Sequence, residues 1–153
     1  MVSVVIAELV RHSEAEEQFL YPTAREKLAG GDETTDHEIA EHRDAEQVMK
    51  DLEARTPDDP EFDRLLRTLI DDIRHHIAEE ESDLFPKLRE TCTGEDLRKL
   101  GNMAAAAKVA APTRPHPSAP DRPPANQLLA PGVGLVDRIR DALEKRPTRP
   151  SDL

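Results

Sequence analysis

The chain has 153 residues, enough for one domain of ordinary size and not comfortably for two. Its formal charge of −11 argues against a nucleic-acid-binding surface or attraction to anionic lipid; acidic side chains on helices are mostly a solvated face, but they also supply hard oxygen ligands. Cys92 alone excludes a disulfide within the chain, which fits a reducing cytosol, and no apolar run approaches the ~20 residues that span a bilayer.

Met1 to Ile6 is too short, and lacks the basic flank, for a secretory signal. Its continuation into Glu8 and Arg11 reads as amphipathic helix. Val4, Val5, Leu9, His12, Glu16, Phe19 and Leu20 form a stripe of period 3.6, so the first helix starts near Met1, without a cap, and runs to about Tyr21. Pro22 either kinks it or opens a short continuation through Leu28 that Gly30-Gly31 ends. A second helix begins between Asp32 and Asp36 and carries Ile39, His42, Val48, Met49 and Leu52 to about Arg55. After the break at Thr56 to Pro60, Asp59 suits the N-cap of a third helix and Pro60 its first position. Phe62, Leu65, Leu66, Leu69, Ile70, Ile73, His76, Ile77, Glu80 and Leu84 face inward along it, as far as Pro86. Gly94 then leads to an alanine-rich fourth helix, about Glu95 to Ala110, so that residues 1–110 make a helical bundle.

Seven of the 13 prolines fall in residues 112–131, and 111–131 is expected to be an extended, disordered linker. In residues 132–153, Leu135, Val136, Ile139 and Leu143 mark a short amphipathic helix before the tail. It either docks on the bundle or a partner, or forms only transiently.

One stretch occurs twice. Residues 11–22, RHSEAEEQFLYP, return 64 positions later as HHIAEEESDLFP: His12 maps to His76, Glu16 to Glu80, Tyr21 to Phe85 and Pro22 to Pro86. One helical unit used twice is expected to face its copy across a pseudo-two-fold axis. Each copy has His-x-x-x-Glu, which on a helix puts imidazole and carboxylate on one face. On an inward stripe such a pair is costly to bury uncompensated, and a metal ion is the economical compensation.

The candidate metal ligands are therefore His12, Glu16, His42, His76 and Glu80, with His42 added from the middle of the second helix. Two carboxylates, one from each repeat, could bridge two ions while imidazoles cap the outer positions. Imidazole with carboxylate oxygen suits iron, and manganese or zinc are also accommodated. The remaining histidines have plainer readings. His37, five residues before His42, points about 140° away and is exposed or in the outer shell of the site. His75 lies off the inward stripe and is solvated; His116, in the Pro-rich segment, is irrelevant to chemistry. Tyr21 either hydrogen-bonds near the site or is a packed aromatic, and Cys92 is an inert, buried or half-buried thiol.

This constellation resembles the hemerythrin HHE cation-binding family, non-haem di-iron four-helix bundles, over roughly residues 1–110. His12-x-x-x-Glu16 closing on Leu-Tyr-Pro resembles the family's second helix, Glu41-His42 its third, and His76-x-x-x-Glu80-Glu81 closing on Leu-Phe-Pro its fourth. Some sites of that family use a carboxylate five residues after the last-helix histidine, so Glu81 is the alternative to Glu80. The resemblance places the family's first helix, with its Asp-His motif, before Met1; the counterpart of His42 one repeat earlier would lie about 22 positions upstream. Either the reading frame starts earlier, or the bundle is completed by dimerisation or by the C-terminal helix.

The resemblance implies an all-α, up-down bundle holding a pair of iron ions that binds or senses O₂, NO or peroxide, with Glu16 and Glu80 bridging and His12, His42 and His76 terminal. The expected location is cytoplasmic, without nucleic-acid or membrane partners and with a possible homodimer. Two other functions fit: a metal-free helical interaction module completed by dimerisation, and a peroxide-decomposing di-iron enzyme. A ferritin-like site is disfavoured, since its motif runs Glu-x-x-His.

Overall fold

A computed structural model describes all 153 residues, and in it the two repeated stretches become two matching arms. The first arm is α1 (Val2–Ala15), a wide π turn (Glu16–Leu20) and α2 (Tyr21–Lys27). The second is α4 (Pro60–Glu79), a π turn (Glu80–Leu84) and α5 (Phe85–Thr91). Between them in the chain runs α3 (Gly31–Glu53); α6 (Gly94–Ala110) and α7 (Ala125–Glu144) follow, and a 3₁₀ turn (Pro150–Asp152) closes the chain. There is no strand, and no helix is long and apolar enough to cross a membrane.

The repeated prolines neither break nor sharply end their arms. The N–H of Tyr21 donates to Glu16 O and that of Phe85 to Glu80 O, closures over five residues that widen the turn just ahead of Pro22 and Pro86. A proline has no N–H for the carbonyl four residues back and crowds it with its ring, so a wider turn relieves the conflict. The Gln18 carbonyl, which Pro22 cannot serve, accepts instead from Gln127 Nε2 at 3.0 Å.

Gly30, at φ 73°, and Gly31 reverse the chain between α2 and α3; a Cβ on Gly31 would sit 2.4 Å from Ala24 O. Asp59 caps α4, accepting from the Glu61 N–H at 2.9 Å, with Pro60 in the first turn as expected. Thr93 and Asp96 form a reciprocal capping box that starts α6.

The arms and α3 pack into two apolar clusters. Ile6 and Val10 of α1 meet Ala45, Met49 and Leu52 of α3 and Leu65 and Leu69 of α4; farther along, Tyr21 and Ala24 meet Ile39, Leu84 and Leu88. The start of α1 thus lies beside the end of α3, so α3 runs antiparallel to both arms, the up-down arrangement that short connections impose. Between the clusters lies a polar layer at the level of Glu16, His42, His76 and Glu80, all buried. Along α1 and the first π turn lies α6, which contributes no fully buried residue.

The C-terminal part differs from expectation. Ala111 to Pro115, expected in an extended linker, are buried, and α7 starts at Ala125 and continues through Pro131. What seats it is polar: Asp137 accepts from the Thr113 and Arg114 N–H groups at 3.1 Å, and Arg114 Nε donates to Asp141 at 2.8 Å. Small residues let it approach, for a Cβ on Gly134 would lie 2.3 Å from Ala110 O. The apolar stripe that marked this helix therefore points outward: Leu135, Val136, Ile139 and Leu143 are all more than half exposed. His116, expected to be irrelevant to chemistry, has a structural place: it pairs with Asp137 at 3.0 Å and donates its backbone N–H to Glu46.

Candidate metal centre

Each arm delivers its histidine at the end of a regular helix and its glutamate at the first residue of a π turn. His12 Nε2 stands 3.0 Å from Glu16 Oε1, and His76 Nε2 stands 3.7 Å from Glu80 Oε1, so both four-residue pairs share a face. From α3, His42 enters between the arms: its Nε2 is 3.0 Å from His76 Nε2 and 3.5 Å from Glu16 Oε2. All five sequence-predicted residues thus come together, four of them buried and His12 about two-fifths exposed at its side chain. Glu80 rather than Glu81 faces the centre; Glu81 is exposed.

The π turn also explains Tyr21. Five residues after Glu16 on a regular helix it would point well away, but the wider turn brings it back over Glu16. Its hydroxyl donates to Glu80 Oε1 at 3.1 Å and lies 3.1 Å from His42 Nε2.

Outer carboxylates hold the imidazoles. Glu17 Oε1 is 3.0 Å from His42 Nδ1 and Glu41 Oε2 is 2.9 Å from His76 Nδ1, which turns each Nε2 toward the centre. Glu38, which sequence reasoning passed over, is 3% exposed, with Oε2 3.0 Å from His76 Nδ1. A signal for it existed: Glu38 precedes His42 by four residues, the same one-turn spacing in reverse order. His12 Nδ1 meets Lys108 Nζ of α6 at 3.2 Å.

The charge states follow from this crowding. Burial pushes the Glu16 carboxyl up, but hydrogen bonds from His12 and His42 and their charges outweigh it and hold Glu16 at about 2. Glu80 is raised to about 7 by burial and then by the charge of Glu16. Burial lowers His42, yet bonds to Glu16 and Glu17 carry it up to about 10. His76 is also raised: the bond to Glu38 and the charge of Glu80 overcome its burial and the charge of His42. On its own the layer therefore balances by holding protons where carboxylates crowd.

These residues fit a cation. Ligand atoms of Glu16, His42 and His76 lie within 4.8 Å of one another, as do those of His12, Glu16 and Glu80, and those of Glu38, His76 and Glu80. The groups overlap at Glu16, His76 and Glu80. Glu16 Oε2 and Glu38 Oε2 are buried without a well-formed hydrogen bond, their imidazole neighbours at 3.5 and 3.0 Å being poorly aligned, a costly condition that a positive ion beside each would relieve. Imidazole nitrogen with carboxylate oxygen is a donor set for iron, manganese or zinc.

Residues 4–88 match the hemerythrin HHE cation binding domain, from α1 into α5; α6 and α7 lie beyond the match. An uncharacterized hemerythrin-like protein of Schizosaccharomyces pombe is 29% identical over 141 residues, covering 92% of this chain and 70% of that protein. A DNA nickase of Nostoc sp. is 32% identical over 104 residues, 68% of this chain but only 29% of the nickase. No solved structure matches the chain. With the family match covering more than half of the chain and the all-helical fold in agreement, this protein belongs to the hemerythrin HHE cation-binding domain family, whose members bind metal, typically iron.

Proposed function

We propose that the buried layer holds a pair of iron ions and binds or senses O₂, NO or peroxide. The observation that carries this reading is the sharing of Glu16 between two ligand groups, with its Oε2 buried and lacking a well-formed hydrogen bond. Iron held there would supply redox-active coordination positions for a small ligand. Glu16 and Glu80 would be the carboxylates shared by the pair, and His12, His42 and His76 would hold it from outside, with Glu38 as a further oxygen donor. Glu17 and Glu41 fix which ring nitrogen faces inward. The Tyr21 hydroxyl, 3.1 Å from Glu80, is a proton donor at the edge of the site, and the two apolar clusters bracket the layer on either side. The lone thiol suits a reducing cytoplasm.

Ligation needs neutral imidazole and ionised carboxylate, whereas His42 is raised to about 10 and Glu80 to about 7, so loading near pH 7 releases protons and acid opposes it. The test is anaerobic loading with Fe(II), desalting, iron counting, and absorption on exposure to air, NO or peroxide. Retention of an iron pair, a spectrum that responds to one of these ligands, and loss of iron in Glu16→Gln and in His42→Asn are expected. Full retention at pH 4, or wild-type iron content in both variants, would overturn the reading. Peroxide turnover by the loaded protein would make it an enzyme rather than a carrier or sensor.

A second reading, a helical interaction module completed by another copy, rests on Ile70 and Ile77. They lie seven residues apart on one stripe of α4, and each is 41% exposed. Sedimentation across a concentration range separates the two: a dimer that Ile70→Asp disperses, in a protein that retains no iron, favours the module.

A further inference from the structure

A second group of imidazoles and carboxylates lies on the outside of the α3–α4 pair. His37 and Glu41 are one turn apart on α3; His75 and Glu79 are one turn apart on α4. The antiparallel packing sets the two pairs against each other. His37 Nε2 is 3.1 Å from Glu79 Oε2 and 3.6 Å from Glu41 Oε1, and His75 Nε2 is 3.5 Å from Glu79 Oε1 and 3.8 Å from Glu41 Oε1. We propose that His37, Glu41, His75 and Glu79 form a second, solvent-facing site for a zinc-class divalent cation, at the mouth of a cleft that leads to His42 and His76.

Three observations carry it. The first is spacing: donors around zinc at bonds of ~2.0–2.1 Å stand about 3.3 Å apart, and the four imidazole–carboxylate separations, which draw on both oxygens of Glu79, run from 3.1 to 3.8 Å. Each carboxylate meets both rings through Nε2, Glu41 by Oε1 alone and Glu79 by Oε2 to His37 and Oε1 to His75. An arrangement of two separate ion pairs does not call for that double sharing.

The second is access. The histidine side chains are 57% and 65% exposed, so a hydrated cation can reach them, while Glu41 at 22% and Glu79 at 38% form a firmer floor. Ligand atoms of His37, Glu41 and Glu79 lie within 4.8 Å of one another; His75 stands outside that group, and its exposed ring would turn in to complete the site.

The third is continuity with the interior. A cleft of about 170 Å³ is lined by His75, Asp72 and Asp44 and, deeper, by His42 and His76. Glu41 belongs to both levels: Oε1 faces the outer group while Oε2 lies 2.9 Å from His76 Nδ1. A cation outside thus meets a graded path of carboxylates and imidazoles toward the buried layer. This site does not depend on the iron reading, since all four of its side chains lie outside the five inner candidates.

The test is isothermal titration of the full chain with Zn(II) alone. In Glu16→Gln/His42→Asn, which cripples the inner layer with neutral side chains of similar size, one zinc per chain is expected. Adding His37→Asn and His75→Asn should weaken that zinc at least 100-fold. Co(II) in the two-substitution protein should give the strong visible absorption of a four-coordinate ion, and the added substitutions should abolish it. In case the inner substitutions unfold the protein, wild type is compared with His37→Asn/His75→Asn, whose changes are exposed; wild type is expected to take up one more zinc. Equal stoichiometry in that comparison, or zinc binding indifferent to His37 and His75, overturns the site. Loss of iron from the inner variants with outer zinc retained would uphold both sites, and the converse would remove only the outer one.

Discussion

Tyr21 has one hydroxyl proton and two near partners, Glu80 Oε1 and His42 Nε2, both at 3.1 Å. With His42 raised to about 10, its ring carries a proton on each nitrogen near neutrality. The ring donates through Nδ1 to Glu17, its Nε2 faces His76 Nε2 at 3.0 Å, the phenol oxygen at 3.1 Å and Glu16 Oε2 at 3.5 Å, and the phenol proton goes to Glu80. Tyr21→Phe keeps the packed ring and removes this link, leaving buried partners short of a bond. The metal-free variant is expected to lose about 1–3 kcal/mol, read as a lower urea midpoint with an unchanged m value. An unchanged midpoint would mean that Tyr21 acts only as a packed aromatic.

At the scale of elements, the C-terminal segment shows how close approach and polar pairing outweigh an apolar stripe. Asn126, Ala130, Gly134, Asp137 and Asp141 are the buried positions of α7, and they recur at helical spacing. Gly134 lies against the Ala110 and Ala111 carbonyls, with no room for a methyl group. Gly134→Ala should therefore push α7 off its seat at a cost of about 1–3 kcal/mol, with little effect on the three-helix core. Limited proteolysis would cut the variant between residues 111 and 145 while sparing residues 1–91; equal resistance of both proteins would contradict this seat. From sequence the stripe of Leu135, Val136, Ile139 and Leu143 pointed to a helix and gave no sign that its inner side would be the polar one. Hydrophobic periodicity reports that two faces differ, and here the buried face is secured by Asp137 and Asp141 against backbone N–H groups and Arg114.

At the scale of the whole molecule, an acidic chain has folded over some of its own carboxylates. Glu46 is raised to about 7, by burial and then by the charge of Glu17; Glu14 also reaches about 7, by burial, against the pull of its bond to Gln18. Both line a cavity of about 110 Å³ between the bundle and the C-terminal segment. For a raised carboxyl the folded state holds a proton that the unfolded state has already lost. Stability from these groups is therefore full below the ordinary carboxylate pKa, falls as pH rises through the window up to about 7, and is flat above it. Glu46→Gln should raise the stability at pH 8 by up to ~3 kcal/mol and change it little at pH 4.5, measured by urea unfolding at the two pH values. A gain of equal size at both would assign the effect to packing.

The sequence by itself determined the helical class, the Asp59-Pro60 helix start and the arm pair, and it pointed to the five inner ligand candidates. Each of these is a local or repeated property: period 3.6, Asp59-Pro60, and His-x-x-x-Glu copied at a distance of 64 residues. Only the tertiary structure decided which neighbours crowd those candidates. It brought Glu38 beside His76, turned Tyr21 inward through a π turn, chose Glu80 over Glu81, and set His37 and Glu41 opposite His75 and Glu79. It also seated α7 on its polar side. These outcomes depend on where separate helices cross and on one added residue in a turn, and a change of a single residue in register moves a side chain about 100° around its helix. Spacing along one helix is written in the chain, whereas contact between helices is settled by the packing of the two apolar clusters that bracket the polar layer.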